Sequence, residues 1–67
     1  MSVARVSKIT AASSSGFDDA VRSGLERASR TLRGITGLHV LEQKAAVNNG
    51  RISEFRVTME VTFILDD

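Results

Sequence analysis

The sequence predicts an α+β fold in which one helix packs on a three-stranded antiparallel sheet, with the element order β-α-β-β. Three observations support this prediction. The last third of the chain alternates apolar and polar residues, an Asn-Gly pair precedes that stretch, and one earlier segment has apolar residues at helical spacing. Because 67 residues suffice for one domain at most, we treat residues 1–67 as a single domain.

The hairpin is the clearest local feature. Asn49-Gly50 favours a type I′ turn, since both central residues of that turn need positive φ angles. In residues 53–65 the odd positions are mainly apolar and the even positions between them are polar, which predicts a long strand with two different faces. Residues 38–47 are predicted to form the strand that pairs with it across the turn.

The first half of the chain predicts a strand followed by the helix. Residues 3–11 are rich in β-branched side chains but alternate imperfectly, as expected near a sheet edge. Ser15 and Asp18 have the spacing of a capping box, although the sequence does not identify the capping serine. The helix should then run to Gly34 or Gly37. Its apolar face is predicted to contain Phe17, Ala20, Val21, Leu25, Ala28, Leu32 and Ile35.

A two-residue turn also fixes which residues of the two hairpin strands face each other, provided that no bulge intervenes. Counting back from Asn49-Gly50 pairs His39 with Glu60 and Gln43 with Arg56. The sheet face turned away from the helix should therefore carry Gly37, His39, Leu41, Gln43, Val47, Ile52, Arg56, Thr58, Glu60 and Thr62. Because that face is apolar near the turn and so small a domain has little core, we expect other copies of the chain to cover it.

The composition argues against several classes of function. Nine basic and eight acidic residues give a net charge of +1, which does not favour binding to nucleic acid or to a membrane surface. The chain has no cysteine and one histidine, so disulfides are absent and a zinc centre is not expected. No segment has the apolar core of a secretory signal or the length of a membrane span, and we expect a cytoplasmic protein.

Two groups of side chains could support chemistry. His39 opposite Glu60 could act as an acid–base pair, but a cross-strand ion pair is the better interpretation because no nucleophile accompanies it. Glu60 with Asp66 and Asp67 could hold a hard cation, although carboxylates at a chain end are usually solvated. The sequence gives no positive reason to predict an enzyme.

Two stretches point to a known family. The run from Arg27 to Arg33 reads RASRTLR, and residues 54–63 follow the pattern E-F-R-V-x-x-E-V-x-F. With these motifs the chain resembles the dodecins over almost its whole length. The resemblance implies a β-α-β-β subunit, assembly into a hollow homododecamer, and binding of flavins such as riboflavin or its phosphate at subunit junctions. It also implies storage or buffering of the ligand rather than catalysis.

Two positions depart from that family. Gly37 stands where dodecins have the tryptophan that stacks on the flavin, and Arg56 stands where they have a glutamine that bonds to its ring edge. Glycine offers no aromatic face, and an arginine side chain only donates hydrogen bonds. The candidate ligand-binding residues are Gly37, His39, Gln43, Arg56 and Thr58.

These observations lead to a hypothesis and its alternatives. The sequence favours a dodecin-like binding and storage protein for a small flavin-type molecule, with the usual flavin site altered. The alternatives are an assembly that binds an anion or a cation instead, and a purely structural or interaction protein. An enzyme that uses His39 and Glu60 is the least favoured hypothesis.

Overall fold

The computed structural model describes residues 3–65 and confirms the predicted β-α-β-β fold. The four elements are β1 (Ala4–Ser13), α1 (Phe17–Ser29), β2 (Ile35–Asn48) and β3 (Arg51–Ile64). The strands form one sheet in the order β1-β3-β2, and both neighbouring pairs are antiparallel. The last strand is therefore the central one, and β1 and β2 are its edges.

The helix begins without the predicted capping box. Its N-cap is Gly16, and no side chain caps the first turn. Ser13 stabilises the turn instead, because its hydroxyl donates to Oδ2 of Asp19 at 2.6 Å and accepts the Ser15 backbone N–H at 2.9 Å. The serine that stabilises the start of the helix is therefore Ser13, the last residue of β1.

The helix also ends earlier than predicted. It stops at Ser29 rather than at Gly34 or Gly37, and Ile35 is the first residue of β2 instead of part of the helix. Gly34 reverses the chain with φ at 73°, and its carbonyl accepts the Ile64 backbone N–H at 3.0 Å. The helical spacing of apolar residues continues past Ser29, but pairing with β3 determines the structure from Gly34 onward.

The core lies between α1 and the sheet. Ala20 on the helix packs against Val57 and Met59 of β3, and all three are fully buried. Phe17 closes one end of the core, where its ring meets Phe55 edge-on with centroids 5.0 Å apart. Partly buried side chains surround this centre, namely Ile9, Ala11, Phe17, Val21, Leu38 and Val40.

The hairpin turn is confirmed, and its register is confirmed in part. Asn49 and Gly50 have φ angles of 52° and 76°, as a type I′ turn requires. The predicted pairing holds for residues 37–40 and for residues 47–48, but residues 42–46 are shifted by one. The cause is a pair of compensating bulges, because Ser53 adds a residue to β3 and Leu41 adds one to β2.

These bulges change which residues share a face. Gln43 lies opposite Val57, so it belongs to the helix side of the sheet and not to the face that carries Arg56. Alternation along β2 likewise places Val47 and its partner Ile52 on the helix side, whereas the sequence predicted that they lie on the opposite face. The prediction of an apolar turn end was right, but the face assigned to it was wrong.

The hairpin extends well beyond the helix. Thirteen helical residues span about 20 Å, whereas the fourteen residues of each hairpin strand span about 46 Å. Pairing with β1 ends at Ser13 and Phe55, so residues 46–54 form a two-stranded extension that we call the arm. On the arm, Val47 is 66% exposed and Ile52 is 52% exposed.

Candidate functional site

The sheet surface turned away from α1, here called the outer face, is built on alternate residues of β3. Its side chains there are Arg56, Thr58, Glu60 and Thr62, because the intervening Val57, Met59 and Val61 are buried under the helix. Edge-strand partners complete it: Lys44, Glu42, His39 and Gly37 from β2, and Ala12, Thr10, Lys8 and Val6 from β1. The described outer face is thus polar at its centre.

Gly37 lies at one end of the outer face, opposite Thr62. It is exposed, its φ is outside the left-handed region, and a Cβ atom added to it would meet no other atom within 4 Å. Val6, which is 54% exposed, flanks Thr62 on the other side. The backbone at Gly37 can therefore carry a large side chain without strain or clash within the subunit.

His39 and Glu60 face each other on the outer face, as the sequence predicts. The His39 Nδ1 atom is 3.9 Å from Oε1 of Glu60, and the two side chains are 74% and 39% exposed. This distance is too long for a hydrogen bond, so the contact is a loose, solvent-screened ion pair whenever the imidazole is protonated. Its geometry is that of a surface pair and not of a desolvated acid–base couple.

Arg56 occupies a charged part of the outer face. It lies opposite Lys44, and like charges directly opposite each other are unfavourable. Each cation is balanced within its own strand, because Arg56 Nε donates to Oε1 of Glu54 and Lys44 Nζ is 3.4 Å from Oε1 of Glu42. Arg56 is therefore held by a carboxylate of its own strand.

Thr58 lies between the charged part and the His39–Glu60 pair. Its hydroxyl is 3.2 Å from that of Thr10 on β1, and its partner on β2 is Glu42, whereas the register without bulges would pair it with Leu41. Four of the five predicted site residues thus share the outer face, and Gln43 does not. The sequence did not predict that Glu42, Lys44 and Thr10 lie on the outer face. The bulges shift the positions of Glu42 and Lys44, and the imperfect alternation of β1 does not show which face Thr10 occupies.

The two altered positions are far apart within one subunit. Thr62, the partner of Gly37, is six residues from Arg56 along β3, which corresponds to about 20 Å. Residues 3–65 enclose no pocket that could join them. A small ligand that contacts both altered positions must therefore contact Gly37 of one subunit and Arg56 of another.

The described part of the chain shows no other site of this kind. No three His, Asp or Glu side chains within residues 3–65 are grouped as metal ligands would be. Asp66 and Asp67, which the sequence offered as cation ligands together with Glu60, lie outside the described residues. The helix of this region is also neither long nor apolar enough to cross a membrane.

The fold and the outer face define a small α+β subunit with a polar sheet surface as its candidate binding region. The dodecin family model matches residues 3–66, and the chain belongs to the dodecin family. A search of curated protein sequences gave no match.

Solved structures agree with this assignment. The dodecin from Streptomyces davaonensis is 39% identical, with a TM-score of 0.93 over 98% of this chain and 97% of that one. The dodecin from Streptomyces coelicolor is 29% identical, with a TM-score of 0.93 over 98% of this chain and 94% of that one. The calcium dodecin of Mycobacterium tuberculosis, described as having a novel calcium-binding site, is 29% identical, with a TM-score of 0.82 over 96% and 91% of the two chains.

Proposed function

We propose that this protein is a homo-oligomeric dodecin that binds and stores a small flavin-type molecule between subunits, at a site altered at Gly37 and Arg56. One observation supports the proposal. Gly37 and Arg56 both lie on the outer face, but within one subunit they are about 20 Å apart, and its described residues enclose no pocket. Binding at a subunit junction satisfies both facts, and a homododecamer is the assembly that family membership favours.

The size of the core supports assembly. The buried apolar side chains of residues 3–65 are Ala20, Ala28, Val57, Met59 and Val61, which is a small set for an independent domain. Large apolar side chains remain exposed at both ends of the sheet, including Val6 at one end and Ile52 at the other. Copies of the chain would remove such side chains from water and so stabilise the subunit.

The altered site should bind flavin weakly. Stacking on an aromatic ring contributes about 0.5–1.5 kcal/mol beyond the buried area, and Gly37 supplies no ring. Arg56 is engaged by Glu54 and cannot accept a hydrogen bond from a ligand as a glutamine can. Storage here would then rest on many sites of modest affinity, with no bond made or broken in the ligand.

The first experiment restores the family's residues. In the variant Gly37→Trp/Arg56→Gln, titration of riboflavin should quench its fluorescence with an affinity at least tenfold higher than in the wild type, because the exposed backbone at Gly37 accepts the ring. Ser23→Trp, on the exposed side of α1, is the matched control for adding a tryptophan elsewhere. Light scattering after size exclusion must show that all three proteins form the same assembly.

The outcomes separate the parts of the proposal. A monomeric wild type would contradict the assembly, whereas a correctly assembled double variant that fails to bind riboflavin would contradict a flavin-type site.

A second candidate is an assembly that binds an anion instead of a flavin. Lys44 and Arg56 place two cations side by side on the outer face, which favours an anionic group, although Glu42 and Glu54 offset their charge. Titration with riboflavin and with inorganic phosphate, which lacks the flavin ring, distinguishes the two candidates. Binding of inorganic phosphate that is lost in Lys44→Gln, without binding of riboflavin, would favour the anion, and calcium added in a parallel titration tests a cation.

A further inference from the structure

The aromatic rings of this protein are unevenly distributed. The chain has no tryptophan or tyrosine, and its three phenylalanines are Phe17, Phe55 and Phe63. Phe17 is in α1 and meets Phe55 edge-on, while Phe63 is at a helix-side position of β3 opposite Ile35. Within residues 3–65, the imidazole of His39 is therefore the aromatic ring that the outer face presents.

The surroundings of His39 leave one side of the ring accessible. Its side chain is 74% exposed. Gly37 lies two residues away on the same strand and face, at about 7 Å, and the space where its side chain would project contains no atom within 4 Å. A flat molecule can therefore lie over the backbone at Gly37 and reach the imidazole.

The opposite strand places a carboxylate and a hydroxyl beside His39 and Gly37. Glu60 faces His39 with its Oε1 atom 3.9 Å from Nδ1, and Thr62 faces Gly37. This contact is too long for a hydrogen bond and is screened by solvent, so it leaves the ring free to turn toward a ligand.

We propose that His39 is the stacking residue of the altered site and binds the face of a planar heteroaromatic ligand. This inference rests on the proposed function and specifies its ligand contact: the ring comes from a position two residues after the glycine that replaces the family's tryptophan. One small imidazole offers less contact area than an indole, so the affinity is expected to be modest.

The test compares wild type, His39→Ala and His39→Phe by fluorescence titration with riboflavin and with lumichrome, which has the ring system without the ribityl chain. His39→Ala should weaken binding of both probes about three- to tenfold, and His39→Phe should restore it, because phenylalanine keeps the ring and removes the charge. Gln43→Ala is the matched control, since Gln43 is exposed on the same strand but lies on the helix side. Ring-current shifts of the His39 imidazole protons on addition of lumichrome give an independent readout.

Three results would overturn the inference. An unchanged affinity in His39→Ala would show that the ring does not contact the ligand, and the proposed function would stand without it. Equal losses in His39→Phe and His39→Ala would show that the charge matters and not the ring face. Failure of the assembled wild type to bind either probe at millimolar concentration would overturn the proposed function, and this inference with it.

Discussion

At the scale of single residues, Gly24 determines how closely α1 can approach the sheet. It is buried on the helix face that meets β1 and β3. A Cβ atom at this position would clash with Cε of Met59 and lie 3.0 Å from Cβ of Ala11. Met59 is itself fully buried, so its terminal methyl has little room to move away.

Gly24→Ala should therefore destabilise the protein even though alanine is the better helix former. The helical preference of alanine contributes about 1 kcal/mol, whereas forcing a methyl group into a packed core costs about 1–3 kcal/mol. We expect a net loss of about 1 kcal/mol, measured as a lower midpoint of thermal unfolding at fixed protein concentration. Ser23→Ala, at the exposed neighbouring position, is the control and should not lower the midpoint. A higher midpoint in Gly24→Ala would show that the core can relax around the added methyl.

At the scale of elements, the hairpin turn depends on backbone conformation. Gly50 has a φ of 76°, in the region where residues with a Cβ atom are strained, and Asn49 precedes it at 52°. Gly37, in the strand that leads to the same turn, has no such requirement, and its side-chain direction is unobstructed. The same substitution at these two glycines should therefore have different effects.

Gly50→Ala should lower the free energy of unfolding by about 1 kcal/mol, because alanine must adopt the left-handed conformation. Gly37→Ala should leave stability unchanged or raise it slightly, since glycine weakens a strand interior. Urea unfolding of both variants, followed by far-ultraviolet circular dichroism, measures the difference. Equal losses in the two variants would contradict a role for the positive φ of the turn.

The hairpin also shows which features the sequence could predict. The turn, the presence of the helix and the alternation of β3 depend on nearby residues and were predicted correctly, although the helix ends at Ser29 and not at Gly34 or Gly37. The bulges at Leu41 and Ser53 depend on how three strands twist and pair, which local alternation does not encode. The sequence therefore assigned Gly37, His39, Arg56 and Thr58 to the outer face correctly, and it misplaced Gln43, which lies between the bulges.

At the scale of the whole molecule, the elongated shape of the subunit favours association with other copies of the chain. The Cα atoms extend 52 Å in one direction but only 19 and 13 Å in the others. The arm lies beyond both β1 and α1, and a two-stranded hairpin alone is marginally stable in water. Within the described chain, neither the helix nor a third strand covers Val47 and Ile52, which face each other across the arm.

The arm should therefore contribute to assembly through its two apolar side chains. Val47→Thr/Ile52→Thr keeps β-branched side chains, and with them the strand preference, while making the surface polar. Burying an aliphatic side chain contributes about 1.5–3 kcal/mol, so losing two such contacts per subunit should raise the concentration at which the assembly dissociates by at least tenfold. Light scattering over a dilution series measures this concentration, with Asn48→Thr, a polar exchange on the same arm, as the control. A double variant that keeps the wild-type mass over the whole series would show that the arm stays in solvent and that assembly rests on the outer face and the strand edges alone.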